Sequence, residues 1–361
     1  MSFLRKQESH ENSTKNIKIP AFAGMTRKDK MKQLLNTLIN HETISKEEAK
    51  QVLVNISKGM YNHSQIASFL TVYMMRSITV EELEGFRDAL LELCLAVDFA
   101  GYNTIDLCGT GGDSKNTFNI STLSSFVTAG AGIHVTKHGN YGVSSISGSS
   151  NVMEYLGVKF SNDQGFLKNC LDKAGICVLH APLFHPAMKN VAPIRKELGV
   201  KTFFNMLGPM VNPAFPKNQL VGVFNLELAR MYGYLYQNTD KNYTILHGLD
   251  GYDEISLTGS TKVISNQTES ILSPEDFGVE LIAQEDIFGG NTIKDSADIF
   301  MKVINGDGTE AQHNVVCANA GMAIATVQKI EPKEGFEIAR ESLLSGKAKD
   351  CLHSLIELSN N

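Results

Sequence analysis

Residues 105–130 contain an apolar run, a glycine-rich turn and a helical pattern in direct succession. The apolar run, 105–108, has the pattern of a strand end. Three glycines follow it: Gly109, Gly111 and Gly112. Polar residues then open an apolar helical stretch: Asn119, Ser121 and Thr122. Because glycines let the main chain approach an anion and a helix N-terminus presents free N–H groups, this succession predicts a phosphate cradle.

The glycine-rich turn departs from two common nucleotide-binding motifs. No Gly-Lys-Ser/Thr follows the glycines, as the Walker motif requires. Position 114 is Ser where the dinucleotide-binding motif has its third glycine. On this stretch alone, a plain tight turn therefore remains an alternative to an anion site.

A second polar turn lies about 25 residues further along the chain. Lys137 and His138 end an apolar segment and lead into Gly139-Asn140. Several serines precede the next apolar run: Ser144, Ser145, Ser147, Ser149 and Ser150. Two anion-friendly turns predict one ligand with two phosphate groups, or two ligands side by side.

From Ala100 onwards, short apolar strands alternate with helical patterns. Candidate strands lie near 105–108, 133–136, 176–179, 220–224 and 243–247, and candidate helices near 120–130, 148–156, 226–238, 314–326 and 334–343. This alternation predicts an α/β fold with a largely parallel sheet and helices on its faces. Ligands of such sheets bind at the carboxyl ends of the strands, where both turns fall. Residues 262–308 are expected to be partly irregular.

The stretch from 31 to 98 has the pattern of a small helical bundle. Met31 begins an amphipathic helix, and Ser45 and Thr79 open capping boxes with a glutamate three residues later. Ser64 is expected to cap a third helix. Residues 1–30 are polar and basic without a secretory apolar segment, and we expect a disordered or non-native extension there, from a mis-assigned upstream reading frame.

Composition excludes several classes of protein. Thirty-nine acidic against 33 basic residues give a net charge of -6, which argues against a general nucleic-acid binder. No apolar run approaches the roughly 20 residues that a membrane span needs. The six cysteines form no CxxC pair, which indicates reduced thiols in a cytosolic protein.

Two further clusters carry charged side chains. Arg195 lies on a predicted helix that starts at Pro186, which Pro193 should kink or break. Its planar fork suits a carboxylate, although a solvated surface charge is the alternative. Asp253 and Glu254 follow a predicted strand, and such neighbouring carboxylates suit Mg²⁺ beside a phosphate, with solvated acids as the alternative. The histidines show no zinc-ligand spacing.

Five motifs together resemble those of the anthranilate phosphoribosyltransferase family. They are GTGGD at 109–113, NIST at 119–122, KHGN at 137–140, the block from HPAM at 185–188 to LGP at 207–209, and DGYDEISLTG at 250–259. The resemblance covers residue 31 to the C-terminus. The set is specific jointly, whereas no single motif would suffice.

The resemblance implies a small N-terminal helical domain and a large α/β domain with a mainly parallel central sheet, like that of nucleoside phosphorylases and phosphoribosyltransferases. The helical domain would comprise 31–98 with a returning segment near 185–210, and the phosphoribosyl-binding domain 99–361. A cytoplasmic homodimer is implied, with the active site in the cleft between the domains. Nucleic acid and membrane are not among the implied partners.

The implied enzyme is a pentosyltransferase of tryptophan biosynthesis. It would transfer the phosphoribosyl group of 5-phosphoribosyl 1-pyrophosphate (PRPP) to the amine of anthranilate, with Mg²⁺ as cofactor, in the second step from chorismate. The products would be N-(5-phosphoribosyl)anthranilate and pyrophosphate. No catalytic base is needed for an amine that is already neutral, so positioning and charge stabilisation would supply catalysis.

The resemblance also implies roles for individual residues. Those for PRPP are Gly109, Gly112, Asp113, Thr117, Asn119, Ile120, Ser121, Thr122, Lys137, His138, Gly139, Ser145 and Ser149. Those for anthranilate are Gly109, Asn140 and Arg195, with Arg195 facing the carboxylate, and those for Mg²⁺ are Ser121, Asp253 and Glu254.

The second turn departs from the family pattern. The family has Arg where this chain has Tyr141, and Gly-Ser-Ala-Asp where it has Gly148-Ser149-Ser150-Asn151. Three other functions stay open: a pyrimidine nucleoside phosphorylase-like enzyme, a non-catalytic nucleic-acid-binding paralogue, and transfer to another aromatic amine. The first has Lys-His-Ser in place of Lys137-His138-Gly139 and lacks the Arg195 block.

Overall fold

The computed structural model describes residues 27–142 and 146–361. Most of the expected extension at 1–30 lies outside these residues. Within them, no helix combines the length and the apolar character needed to cross a bilayer.

Four helices form the N-terminal part: α1 Arg27–Ile39, α2 Lys46–Ser57, α3 His63–Met75 and α4 Val80–Leu93. The capping boxes at Ser45 and Thr79 are confirmed. Two expectations are wrong in detail. α1 begins at Arg27 instead of Met31. α3 is capped by Asn62, whose side chain accepts the N–H of Gln65 at 2.9 Å in an equivalent reciprocal box two residues before Ser64.

A buried glutamate joins α3, α4 and the loop before α2. Glu82 is fully buried, and its Oε1 accepts the N–H of Ile44 at 3.1 Å and the hydroxyl of Tyr73 at 3.2 Å. Arg76 pairs with the same carboxylate. The charge and hydrogen bonds that compensate this buried carboxylate fix the ends of α3 and α4 against the loop before α2.

The α/β part is built on a seven-stranded sheet. Its strands are β1 Ile105–Gly109, β2 Val135–Gly139, β3 Ile176–His180, β4 Asn218–Gly222, β5 Asn242–Gly248, β6 Thr261–Ser265 and β7 Glu269–Leu272. The order is β3-β2-β1-β4-β5-β6-β7, with the first five strands parallel and the last two antiparallel. The predicted mainly parallel sheet is therefore confirmed.

Helices cover the sheet and the C-terminal region. They are α5 Ile120–Gly130, α6 Ser149–Tyr155, α7 Gln164–Ala174, α8 Ala181–Phe184, α9 Ala192–Leu198, α10 Phe204–Leu207, α11 Leu226–Tyr236, α12 Ile293–Ile304, α13 Glu310–Gln328, α14 Pro332–Leu344 and α15 Lys347–Asn360. Helices α7, α8, α10 and α15 were not predicted from the sequence. The stretch expected to be irregular holds β6, β7 and α12 around two short 3₁₀ segments, Pro274–Phe277 and Gln284–Ile287.

The predicted break near Pro193 is confirmed. A 3₁₀ turn, Pro186–Asn190, ends at Val191, and α9 then begins with Pro193 in its first turn, where its missing N–H is tolerated. Side chains of this region pack on the N-terminal helices, and Phe203 stacks on Phe86 with ring centroids 4.5 Å apart. The same hydrophobic core continues into β4 and β5, so the boundary at residue 98 stays a prediction.

β1 is the switch point of the parallel sheet, where successive strands are added first on one side and then on the other. From β1 the chain moves to β2 on one side and later returns to β4 on the other, with Gly109 level with Gly222. In open α/β sheets, a crevice forms outside the carboxyl ends of the strands at such a switch point. The glycine-rich turn follows β1 directly, which places it in this crevice.

Candidate active site

A cavity of about 300 Å³ opens at the switch point. It brings together fifteen residues that the sequence analysis named for substrates or metal: Gly109, Gly112, Asp113, Thr117, Asn119, Ser121, Thr122, Lys137, His138, Gly139, Asn140, Ser149, Arg195, Asp253 and Glu254. These residues come from β1 and β2 with the loops after them, from the loop after β5, and from the starts of α5 and α6 and the middle of α9. The fold therefore joins the four polar clusters into one site.

Two expected residues are not among those that line it. The side chain of Ile120 is fully buried in the main core, and its N–H donates to the carbonyl of Phe118 at 2.6 Å. Its role in PRPP binding stays a prediction. Ser145 lies outside the described residues, so its role stays a prediction.

Glycines allow the loop after β5 to reach the strand ends. A Cβ on Gly109 would lie 2.3 Å from Oδ2 of Asp253, and a Cβ on Gly222 only 1.5 Å from the Asp253 carbonyl oxygen. At Gly222 the clash is with the main chain, so no side chain fits there, whereas at Gly109 the Asp253 carboxylate would have to move aside. These glycines thus set how closely Asp253 approaches the cradle.

The glycine-rich turn has an unusual main-chain conformation. Gly111, Gly112 and Ser114 have φ angles of 64°, 82° and 63°. Glycine adopts such angles without strain, but Ser114 does not, and strained residues of this kind cluster at functional sites. The carboxylate of Asp253 accepts the N–H of Gly111 at 2.7 Å and so holds the start of the turn.

Three carboxylates face one another at the cradle. Burial, then the neighbouring Asp113 and Glu254, raise the pKa of Asp253 well above its ordinary value. Burial and Asp113 likewise raise the pKa of Glu254 to about 8. Since burial and mutual repulsion disfavour the ionised forms, this acidic cluster (Asp113, Asp253 and Glu254) favours a proton or a cation near it.

Glu254 also binds the N-terminus of α5. Its Oε1 accepts the N–H of Ser121 at 3.0 Å, and its Oε2 lies 3.5 Å from the hydroxyl of Thr117. The sequence analysis expected this helix start to point free N–H groups at an anion. The carboxylate instead takes up the Ser121 N–H, so the correction is that a protein side chain caps this end of the helix.

The predicted metal ligands have the chemistry that Mg²⁺ prefers, but they do not enclose an ion on their own. The acidic cluster offers hard oxygen donors that Mg²⁺ prefers, and its repulsion would be relieved by a cation. Among the described residues, no group of three or more His, Cys, Asp or Glu side chains is spaced to enclose an ion. This fits Mg²⁺, which takes one or two carboxylates and completes its shell with water and substrate phosphates.

The residues from β2 form the floor of the cavity. Lys137 is almost completely buried, and its ammonium donates to the carbonyl of Leu107 at 2.8 Å. Burial lowers its pKa, while Asp106 opposes this effect. Burial lowers the pKa of His138 to about 3, so its ring is neutral at pH 7 and Nδ1 contacts the carbonyl of Gly208 at 3.1 Å.

The second turn is held by close packing and by one amide side chain. A Cβ on Gly148 would lie 2.2 Å from the nitrogen of Gly142, so the two parts of the turn touch. Oδ1 of Asn151 accepts the N–H of Gly142 at 2.9 Å and that of Gly148 at 3.0 Å. Asn151 therefore supplies acceptor bonds that an aspartate could also make at this position.

Tyr141 turns towards a neighbouring aromatic group. Its ring meets His180 edge-on at 4.8 Å, and its hydroxyl donates to Glu154 at 3.3 Å. Phe160 stacks on the other side of His180 at 4.5 Å. Position 141 thus contributes an aromatic wall to the cavity mouth, where the family pattern has a cation.

Arg195 lines the same cavity from α9. Its guanidinium lies 5.3 Å from the ring centroid of Phe204 and donates to Oδ1 of Asn205 at 3.2 Å. Burial lowers the pKa of Arg195 from its very high ordinary value. Held on two sides in this way, the fork is preoriented for an anion, and the solvated-surface alternative is wrong.

Several buried polar atoms around the cavity have no hydrogen-bond partner within the part of the chain that the structure describes. They are Thr110 Oγ1, Asn119 Oδ1, His138 Nε2, Ser147 Oγ and Arg195 Nε. Buried polar atoms are normally paired, so this set marks atoms that a bound ligand or water would satisfy.

The sequence analysis missed several lining residues. They include Cys108, Thr110, Lys115, Ala181, Phe204, Asn205 and Pro209. Thr110 could have been predicted, because it lies within the GTGGD motif at 109–113. Asn205 was not predicted, because its contact with Arg195 depends on how the chain folds back after α9.

Comparison with known proteins places the two parts of the chain in one family. Residues 32–94 match the helical bundle domain of the glycosyl transferase family, and residues 101–349 match its α/β domain. An anthranilate phosphoribosyltransferase of Flavobacterium psychrophilum is 75% identical over 329 residues, which cover 91% of this chain and all of that protein.

Two solved structures have the same fold. Anthranilate phosphoribosyltransferase from Thermus thermophilus is 30% identical, with a TM-score of 0.84, and the match covers 91% of this chain and 99% of that one. The enzyme from Saccharomyces cerevisiae in complex with PRPP and Mg is 26% identical, with a TM-score of 0.85 and coverage of 92% and 98%.

Proposed function

Because the chain belongs to the anthranilate phosphoribosyltransferase family and is a glycosyltransferase of that type, we propose that it transfers the phosphoribosyl group of PRPP to the amine of anthranilate. The products are N-(5-phosphoribosyl)anthranilate and pyrophosphate, and the reaction is the second step of tryptophan synthesis from chorismate. The observation that carries the proposal is one cavity with a glycine-rich cradle, an acidic cluster and a preoriented arginine.

The cradle is the proposed donor site. PRPP carries phosphate groups at both ends of its ribose, and the two turns offer main-chain and hydroxyl groups for them. The unpaired Thr110 Oγ1, Asn119 Oδ1 and Ser147 Oγ support this assignment, because each has hydrogen-bonding capacity left for a ligand. Lys137 supplies the buried positive charge on the floor.

Asp253 and Glu254 are the proposed protein ligands of Mg²⁺, with Ser121 beside them. The raised pKa values of both carboxylates support this role, since a cation would relieve the repulsion that raises them. When bound, Mg²⁺ neutralises charge on the pyrophosphate. The yeast enzyme's complex with PRPP and Mg supports the same cofactor here.

Arg195 is the proposed anchor for the acceptor. Anthranilate has a carboxylate next to its aromatic amine, and a guanidinium binds a carboxylate through two parallel hydrogen bonds. Phe204 and Asn205 hold Arg195, while Asn140 and Gly109 line the same cavity. A carboxylate fixed at Arg195 would direct the amine towards the donor.

The chemistry requires charge stabilisation more than proton transfer. The bond from ribose C1 to pyrophosphate breaks, the bond from C1 to the amine nitrogen forms, and the amine proton leaves to solvent. Negative charge grows on the leaving pyrophosphate, which Lys137 and the main-chain N–H groups of the cradle stabilise. An aromatic amine is neutral at pH 7, so the neutral His138 is not required as a base.

The protein is proposed to act as a cytoplasmic homodimer. Exposed apolar side chains at the ends of α1 and α3, namely Ile39, Met74 and Met75, support association through the helical part. The acidic net charge of -6 supports small-molecule substrates over nucleic acid.

The reaction can be tested through the fluorescence of anthranilate. The purified protein is mixed with anthranilate, PRPP and Mg²⁺, and the loss of emission is followed with an EDTA control. We expect a metal-dependent loss of emission. Retention of emission by protein that still binds PRPP would instead favour another aromatic amine as acceptor.

A further inference from the structure

Lys201 connects the acceptor side of the cavity to the glycine-rich turn. It lies in the segment between α9 and α10, yet its ammonium donates to the carbonyl of Gly112 and to the hydroxyl of Ser114 at 3.2 Å. Its side-chain carbons also pack on the turn, since a Cβ at Gly112 would lie 3.6 Å from Cε. Residues 89 apart in the sequence are thereby joined by one side chain.

The two acceptors of Lys201 both belong to the strained part of the turn. Gly112 and Ser114 have positive φ angles, and for Ser114 this conformation is unfavourable without support from neighbours. Asp253 holds the same turn from the other side through the N–H of Gly111. Asp253 thus holds Gly111 at the start of this turn, and Lys201 holds Gly112 and Ser114 further along it.

The segment that carries Lys201 is tied to the acceptor anchor. Gly199 ends α9 in the left-handed conformation, and the N–H of Thr202 donates to Oδ1 of Asn205 at 3.2 Å. That same oxygen accepts from Arg195. The amide oxygen of Asn205 therefore anchors both Arg195 and the segment that carries Lys201.

We propose that Lys201 is a positioning residue that ties the segment after α9 to the glycine-rich turn and preorganises the turn for the donor phosphates. This inference rests on the proposed function. Lys201 does not line the cavity, so it acts through the conformation of Gly112 and Ser114.

The test compares Lys201→Met with Lys201→Arg. Methionine keeps the length and packing of the side chain but removes its charge and donors, whereas arginine keeps both. Lys196→Met, which removes an exposed lysine of α9, is the matched control. Binding of PRPP with Mg²⁺ is measured by calorimetry, and KM, kcat and the unfolding midpoint are measured for each variant.

We expect Lys201→Met to weaken PRPP binding about tenfold, the usual order for a lost hydrogen bond to a charged group. Its KM for anthranilate and its unfolding midpoint should stay close to the wild-type values. Lys201→Arg should restore most of the PRPP affinity, and Lys196→Met should not change it.

Two results would overturn the inference alone. Either Lys201→Met binds PRPP as the wild type does, or it loses stability and both affinities together, as a merely structural residue would. Failure of the wild-type protein to bind PRPP with Mg²⁺ would instead overturn the proposed function, and the inference with it.

Discussion

The carbonyl oxygen of Asp253 lies 1.5 Å from the point where a Cβ on Gly222 would be. Gly222 ends β4, level with Gly109 at the end of β1, so the Asp253 loop crosses both strand ends in direct contact. The position of the acidic cluster therefore depends on a residue with no polar side chain. This contact also gives the first prediction.

Gly222→Ala should destabilise the protein by at least about 3 kcal/mol, because the main chain itself must move to admit the methyl group. Activity should fall with it, since Asp253 would shift. Gly233→Ala in α11 is the control: its Cβ would lie 3.7 Å from Ile264, and alanine favours a helix. Urea unfolding measures the stability of both variants. Equal stability would contradict the close contact between Gly222 and the Asp253 carbonyl.

Glu254 should make stability depend on pH. Its pKa is raised from 4.5 to about 8 in the folded protein, so without a cation the folded state holds a proton that the unfolded state loses. This contribution is fully present below pH 4.5 and is lost as pH rises through about 8. Without divalent ions, Glu254→Gln should therefore unfold at a higher temperature than the wild type at pH 8 to 9.

The same group should make cation binding depend on pH. Mg²⁺ competes with the proton on Glu254, so thermal stabilisation by Mg²⁺ with PRPP should grow from pH 6 to pH 9 in the wild type and only weakly in Glu254→Gln. Glu280→Gln, at an exposed position, should behave as the wild type does. If Mg²⁺ stabilised Glu254→Gln with the same pH dependence as the wild type, Glu254 would not be a metal ligand.

Arg195→Met should act on the acceptor. Loss of a charged, bidentate contact should raise the KM for anthranilate about ten- to a hundredfold, with the KM for PRPP changed less than about threefold. Methionine keeps packing on Phe204. Arg230→Met on the exposed face of α11 serves as control, and steady-state kinetics with each substrate varied would show the difference. Equal effects on both substrates would take Arg195 out of the acceptor site.

Asn151 should tolerate a carboxylate but not an apolar group. Asn151→Asp keeps an oxygen for the N–H groups of Gly142 and Gly148, so the KM for PRPP should change less than about twofold. Asn151→Leu leaves both donors without this acceptor and should lower the unfolding midpoint and weaken PRPP binding. Calorimetry and thermal unfolding of the two variants check this, and a harmless leucine would refute the role of the amide oxygen.

Local patterns were sufficient to predict much of the site. The apolar run before Gly109, the capping residue Ser45 and the break at Pro193 each reflect chemistry within a few residues. The parallel sheet followed from the strand and helix alternation, and its switch point then brought the polar clusters together. For Arg195, Asp253 and Glu254, residue chemistry left a solvated surface charge as an alternative, and the resemblance to the family assigned them specific ligands.

Contacts between distant segments could not be predicted in the same way. Gly222 matters only because the loop after β5 crosses it, and Lys201 only because its segment folds back onto the glycine-rich turn. The N–H of Ser121 was expected to be free for an anion, but Glu254 reaches it from the end of another strand. Each of these depends on the three-dimensional arrangement of strand ends and not on spacing along the chain.

The most direct measurement is the ratio of pyrophosphate released to anthranilate consumed, with the mass of the product determined in the same reaction. The account predicts one pyrophosphate per anthranilate, a product of anthranilate plus one phosphoribosyl group, and no release when either anthranilate or Mg²⁺ is omitted. Pyrophosphate release that continues without consumption of anthranilate would contradict the account, because the cavity would then serve hydrolysis or another acceptor.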